Sequence, residues 1–264
     1  MNNEDAKVGF TRNEKVSNII LLFLCILRLA DNYLLTLRFG TSMPDWVPHW
    51  YAGIAYILTA VIVFLNRHRL KKLNIDRPFM IALMLGGFLY VFHLPAGINI
   101  VVAITTALVY WAYRNNYFLL ENTIQYPPST ILLISVFVPL AILPIYLFGF
   151  AIKVPPNIQM ILSSFFEASL GLVVYEEVLF RGVLWAYLLD LGLKERTAFL
   201  LTAVLFWTAH SRLLLFDNTY SFWVTVPIAS LLLGVLAWRS RSLTPSTIGH
   251  FLYNFTSVLI KKMI

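Results

Sequence analysis

One cysteine, Cys25, occurs in 264 residues, and only 12% of the chain is charged. A lone cysteine excludes an intramolecular disulfide framework, and inside an apolar segment it reads as a small hydrophobe. No histidine accompanies it in sequence, so a cysteine nucleophile is not expected. The shortage of charge excludes an ordinary soluble domain. Globular chains are about a quarter charged and about 45–50% apolar, whereas this one is 59% apolar with a mean hydropathy of +0.75. Acidic residues are the scarcer sign, 13 against 20 Lys and Arg, for a net charge of +7. That excess does not indicate nucleic acid. The cations sit in short connections, as with Arg67, Arg69, Lys71 and Lys72 in NRHRLKKLN, which is how topology-setting charges are distributed. Internal repeats and low-complexity linkers are also lacking.

What remains is long apolar runs. Several approach the roughly 20 residues a spanning helix needs, so the expected fold is an all-α, polytopic membrane helix bundle of about eight to nine spans in the cell membrane. The runs fall near 17–37, 50–66, 79–94, 98–113, 129–150, 159–190, 196–213, 220–238 and 246–261. The first contains Arg28 and Asp31 and lacks a small-residue cleavage site, so it reads as an uncleaved span. Those two charges are three residues apart and read as a mutual ion pair or a snorkelling arginine. Pro127 and Pro128 suit a helix start before the fifth run, and Pro155 and Pro156 break the chain before the sixth. Pro139 and Pro144 imply a kink inside the fifth. The sixth run is long enough for one tilted helix or two pieces. Loop Lys and Arg, taken over nine spans, place the N-terminus in the cytoplasm. In the C-terminal half, Lys194, Arg196, Arg239 and Arg241 balance Lys153, Arg212, Lys261 and Lys262, which leaves the orientation of that half open.

Against this background, six polar residues stand out in the last ninety or so positions. They are Glu176, Glu177 and Arg181 in YEEVLFRG, His210 in FWTAH, and His250 and Asn254 in GHFLYN. Ionisable groups inside apolar segments are costly and mark sites or pathways. With LGLKE (191–195) as the turn of a helical hairpin, Glu176 lies about fifteen residues before it and His210 about fifteen after. At 1.5 Å per residue both are then roughly 22 Å from the turn, at similar depth on adjacent helices. His250 and Asn254 are one helical turn apart and share a face. Glu177 and Arg181 have the i, i+4 spacing of a helical ion pair. Glu176 is left without a cation on its own helix, which suits a general base for activating water, with His210 assisting. His250 and Asn254 can donate hydrogen bonds to a developing oxyanion, or Asn254 can instead orient the His250 ring.

Taken singly, each of these groups is more commonly structural: an internal salt bridge, an interhelical hydrogen bond or packing glue. Together, at matched depth, they point to hydrolysis within a membrane. The order EExxxR, FxxxH, HxxxN resembles that of the CAAX-protease and bacteriocin-processing (CPBP) intramembrane proteases, related to type II CAAX prenyl endopeptidases. The resemblance runs over about residues 160–258 and includes Gly182 and Pro245. It divides the chain into N-terminal transmembrane segments of unassigned role (1–128) and a protease core (129–264). It implies a helical bundle with an intramembrane catalytic cavity open to the cytosol. It also implies Glu176 as base beside His210, His250 and Asn254 at the oxyanion, and Glu177 with Arg181 as supports. The implied function is endopeptidase cleavage of a membrane-associated or lipidated peptide or protein.

No tightly bound cofactor is expected, the alternative being Zn²⁺ at Glu176, His210 and His250, since a carboxylate and two imidazoles make a three-ligand open site. The expected partners are the peptide substrate and the lipid bilayer, with no nucleic acid; the oligomeric state is not indicated. Two other readings stand beside this one. A non-catalytic scaffold or immunity protein could retain the fold, and a transporter could use the same groups as a proton relay. The transporter would show an inverted repeat and broken paired helices, and neither is evident.

Overall fold

The computed structural model describes residues 12–30, 46–65, 128–149, 153–168, 170–215, 219–240 and 243–264, and the described residues form helices and their connections without a strand. The runs expected at 79–94 and 98–113, and the Arg28–Asp31 pair, lie outside the described residues or side chains. Among the described helices one, Ser221–Ser240, is long and apolar enough to cross a bilayer by length and composition.

Eight helical elements position the site. They are α1 (Arg12–Ala30), α2 (Trp46–Leu65), α3 (Pro128–Gly149) and α4 (Ile158–Glu167), then α5, which is α-helical over Leu170–Glu177, widens to a π-helix over Val178–Leu184 and returns to α over Trp185–Asp190. The chain turns into α6 (Glu195–Thr208), α7 (π over Ser221–Thr225, then α over Val226–Ser240) and α8 (Leu243–Met263). The sixth apolar run is therefore two helices, α4 and α5, with Ala168 as the C-cap of the first. The turn between α5 and α6 is where LGLKE placed it. Gly192 sits there at φ +82, a left-handed conformation that glycine adopts without steric cost.

α8 is central and packs against α3, α7, α4 and α5. Its approach to α3 has a local cause. Pro139 has no N–H and cannot bond the carbonyl of Ser135 one turn earlier. At that level α3 meets α8 closely: the Ser135 hydroxyl donates to Pro245 O at 3.0 Å, and a Cβ on Gly249 would lie 3.2 Å from Ser135 O. The missing side chain of Gly249 thus lets the helix that carries His250 seat against α3. α6 and α7 close on each other in the same manner, since a Cβ on Gly234 would stand 2.7 Å from the Phe199 ring. The Ser230 hydroxyl also donates to Ala203 O at 2.7 Å.

Leu21 and Leu24 of α1 and Ala55, Ala60 and Ile62 of α2 share one buried cluster with Val174, Val178 and Phe180 of α5 and Phe206 of α6. Packing thus crosses the boundary drawn at 128.

Candidate active site

Glu176 and Glu177 end the first α-helical segment of α5, and Arg181 lies in the π-helical turn that follows. π-segments are rare, and they are frequent at functional sites. All three side chains are buried, as is His250 of α8. Burying charges is unfavourable unless they are paired, and here they form a chain. Arg181 Nη1 donates to Glu177 Oε1 at 3.1 Å, and His250 Nδ1 donates to the same oxygen at 2.8 Å. The other ring nitrogen, His250 Nε2, lies 3.7 Å from Glu176 Oε2. One imidazole therefore stands between the two neighbouring carboxylates, anchored to one and facing the other.

This arrangement bears on three of the sequence expectations. The Glu177–Arg181 pair is present, but Glu177 also fixes the His250 ring, a function its spacing to Arg181 did not reveal. Glu176 faces His250 of α8. Asn254 does not orient the His250 ring. Its Nδ2 donates to Ala168 O at 3.4 Å, at the junction between α4 and α5, because Glu177 and Glu176 already occupy the directions of both ring nitrogens.

His210 differs from expectation in its local setting. The run 196–213 was expected as one helix, yet α6 ends at Thr208 and His210 lies in the turn beyond it. The cause is a side-chain cap. The His210 backbone N–H bonds Trp207 O at 2.9 Å, and its ring Nδ1 takes Phe206 O at 2.8 Å, a carbonyl that a continuing helix would have bound through the backbone. Because a carbonyl only accepts, Nδ1 carries the proton and Nε2 is the acceptor in the neutral ring.

Phe206 is the residue that sequence reasoning quoted without a role. Its ring lies under the Arg181 guanidinium at 4.0 Å. It also packs edge-on against His250 at 5.4 Å and tilted against His210 at 4.6 Å, so it joins the arginine and both imidazoles into one unit. Its place four residues before His210 was the available signal. Two further contacts were missed as well. Arg181 Nη2 donates to Ser230 O at 3.4 Å, which links the site to α7, and Tyr253 donates to Thr225 Oγ1 at 3.3 Å beside the second π-segment.

The zinc alternative needs Glu176, His210 and His250 to converge as ligands. Among the described residues no group of three or more His, Cys, Asp or Glu side chains is arranged to hold a metal ion.

Residues 156–256 match the family model described as Type II CAAX prenyl endopeptidase Rce1-like. That segment is similar to this family. The match begins just before α4, ends two residues past Asn254, and contains all six candidate residues. The family is one of membrane-embedded proteases, which agrees with the resemblance carried by the three motifs. No curated protein and no solved structure matches the chain.

Proposed function

We propose that this protein is a multi-pass intramembrane endopeptidase that hydrolyses a peptide bond in a membrane-associated or lipidated peptide, with Glu176 activating the water. The observation that carries the reading is the buried Arg181–Glu177–His250–Glu176 chain. It costs desolvation to keep, and it presents one carboxylate and one imidazole edge to the same space. Membrane-buried ionisable groups of this kind are functional by default. The catalytic cavity would lie where Glu176 and His250 Nε2 meet, within residues 129–264.

In the proposed reaction Glu176 takes a proton from water as the hydroxide adds to the scissile carbonyl, and His210 assists through its Nε2. The carbonyl oxygen becomes the oxyanion. His250, held by Glu177 through Nδ1, donates from a protonated Nε2 edge. The Asn254 amide has a second N–H beyond the one given to Ala168 O, and this completes the oxyanion contacts. Collapse breaks the C–N bond, and Glu176 returns its proton to the leaving amine. Water and peptide are consumed, an acid and an amine are released, and no resident metal or organic cofactor is required.

The test is cleavage of synthetic lipidated and unlipidated peptides by the protein in proteoliposomes, with products read by mass spectrometry. Glu176→Gln is expected to lower turnover by at least the 10²–10⁴ typical of a lost general base, with an unchanged melting midpoint. Full turnover in that variant would reject Glu176 as the base. A biological activity that survives both Glu176→Gln and His210→Ala would favour the scaffold reading.

A further inference from the structure

We propose that the rim formed by α4 and the last turn of α8 is a docking surface for anionic phospholipid. α4 has ten residues, about 15 Å of helix, which is half the hydrocarbon thickness of a bilayer. Asn157 caps its start, accepting from Met160 N at 2.8 Å. Ser164 is buried against the bundle, while Ile158 at 70% and Leu162 at 53% exposure point outward with Ile161 and Phe165. Three lysines frame this apolar face. The backbone N–H groups of Lys153 and Val154 both donate to Met263 O, at 2.8 and 3.0 Å, which pins the segment before α4 to the end of α8. Lys262 Nζ lies 2.7 Å from Ser163 Oγ on α4, and Lys153 and Lys261 are exposed. The sequence has no Asp or Glu side chain from 122 to 166 or from 218 to 264, and the one acidic residue of α4, Glu167, is at the end of that helix away from Lys153.

Apolar side chains beside a row of cations suit a lipid with acyl chains and a negative headgroup. A neutral lipid would cover Ile158 and Leu162 but leave the cations unmatched. A soluble acidic partner would match the cations and leave the apolar face in water. An anionic phospholipid satisfies both, and this surface is independent of the catalytic reading.

The experiment is lipid retention by the full chain in neutral detergent, read by native mass spectrometry. Phosphatidylglycerol competes with phosphatidylcholine of the same acyl chains. The wild type is expected to retain phosphatidylglycerol preferentially, with the preference weakening as salt rises. Lys153→Gln/Lys261→Gln, which leaves the Lys262–Ser163 contact in place, is expected to lose roughly fivefold of the preference per lysine. The charge-matched variant Lys194→Gln/Arg196→Gln at the α5–α6 turn is expected to keep it. The proposal is overturned by equal retention of the two lipids, by an equal loss in both variants, or by displacement with glycerol phosphate or an acidic peptide alone.

Discussion

Glu177 is the residue on which the site turns, because one of its oxygens accepts from both Arg181 and His250. Removing its charge takes from a buried guanidinium the carboxylate it is hydrogen-bonded to, and breaking such a pair costs about 3–5 kcal/mol. Glu177→Gln is therefore expected to destabilise the protein by that order, and Arg181→Met similarly. The double variant should cost clearly less than the two singles added together, since it leaves no uncompensated charge. Chemical unfolding of all three variants in detergent measures the cycle, and strict additivity would show that the two groups do not depend on each other. At this scale the residue types and their spacing were legible in the sequence, because a carboxylate and an arginine four apart on a helix meet without help from elsewhere. The bond from Glu177 to His250 spans 73 positions and was not legible, since nothing local records it.

At the scale of elements, two short features decide where the catalytic groups stand. Gly249 lets α8 approach α3. Gly249→Val would push branched methyls into Ser135 O, Val138 and Leu236, all within 3.3 Å of the position a Cβ would take. Overpacking of this kind costs about 1–3 kcal/mol. Because His250 is the next residue, turnover is expected to fall further than stability does. Activity and melting compared on the same sample check this, and a variant that melts lower with undiminished turnover would refute it. The second feature is the cap on α4. Asn157→Ala removes the acceptor for Met160 N and should cost about 0.5–2 kcal/mol. Amide exchange is expected to quicken across 158–167 and not in α8; uniform exchange across both would show that α4 does not open on its own. Pro155, Pro156 and Pro128 announced their helix boundaries in the sequence because proline acts locally. The end of α6 at Thr208 was missed because the cap comes from the His210 ring, a side-chain alternative that apolar periodicity cannot register.

For the whole molecule, the packing of α1 and α2 sets N-terminal segments of unassigned role beside the site. Leu21, Leu24, Ala55, Ala60 and Ile62 are buried with the α5 and α6 residues that surround the site, although the family match starts at 156. A chain beginning at residue 128 is expected to melt lower than the full chain, by about 2–4 °C for each kcal/mol of packing lost. Equal melting midpoints would show that α1 and α2 add no stability to residues 129–264. The sequence by itself determined the class: an apolar, charge-poor, helical chain with three polar motifs set in apolar runs, because composition and one-turn spacing are local properties and survive without the fold. Only the tertiary structure decided which groups meet. It placed His250 between Glu176 and Glu177, Phe206 among Arg181 and both histidines, and Asn254 against Ala168. These contacts join helices far apart in the chain, and they depend on how closely glycine and serine let those helices approach.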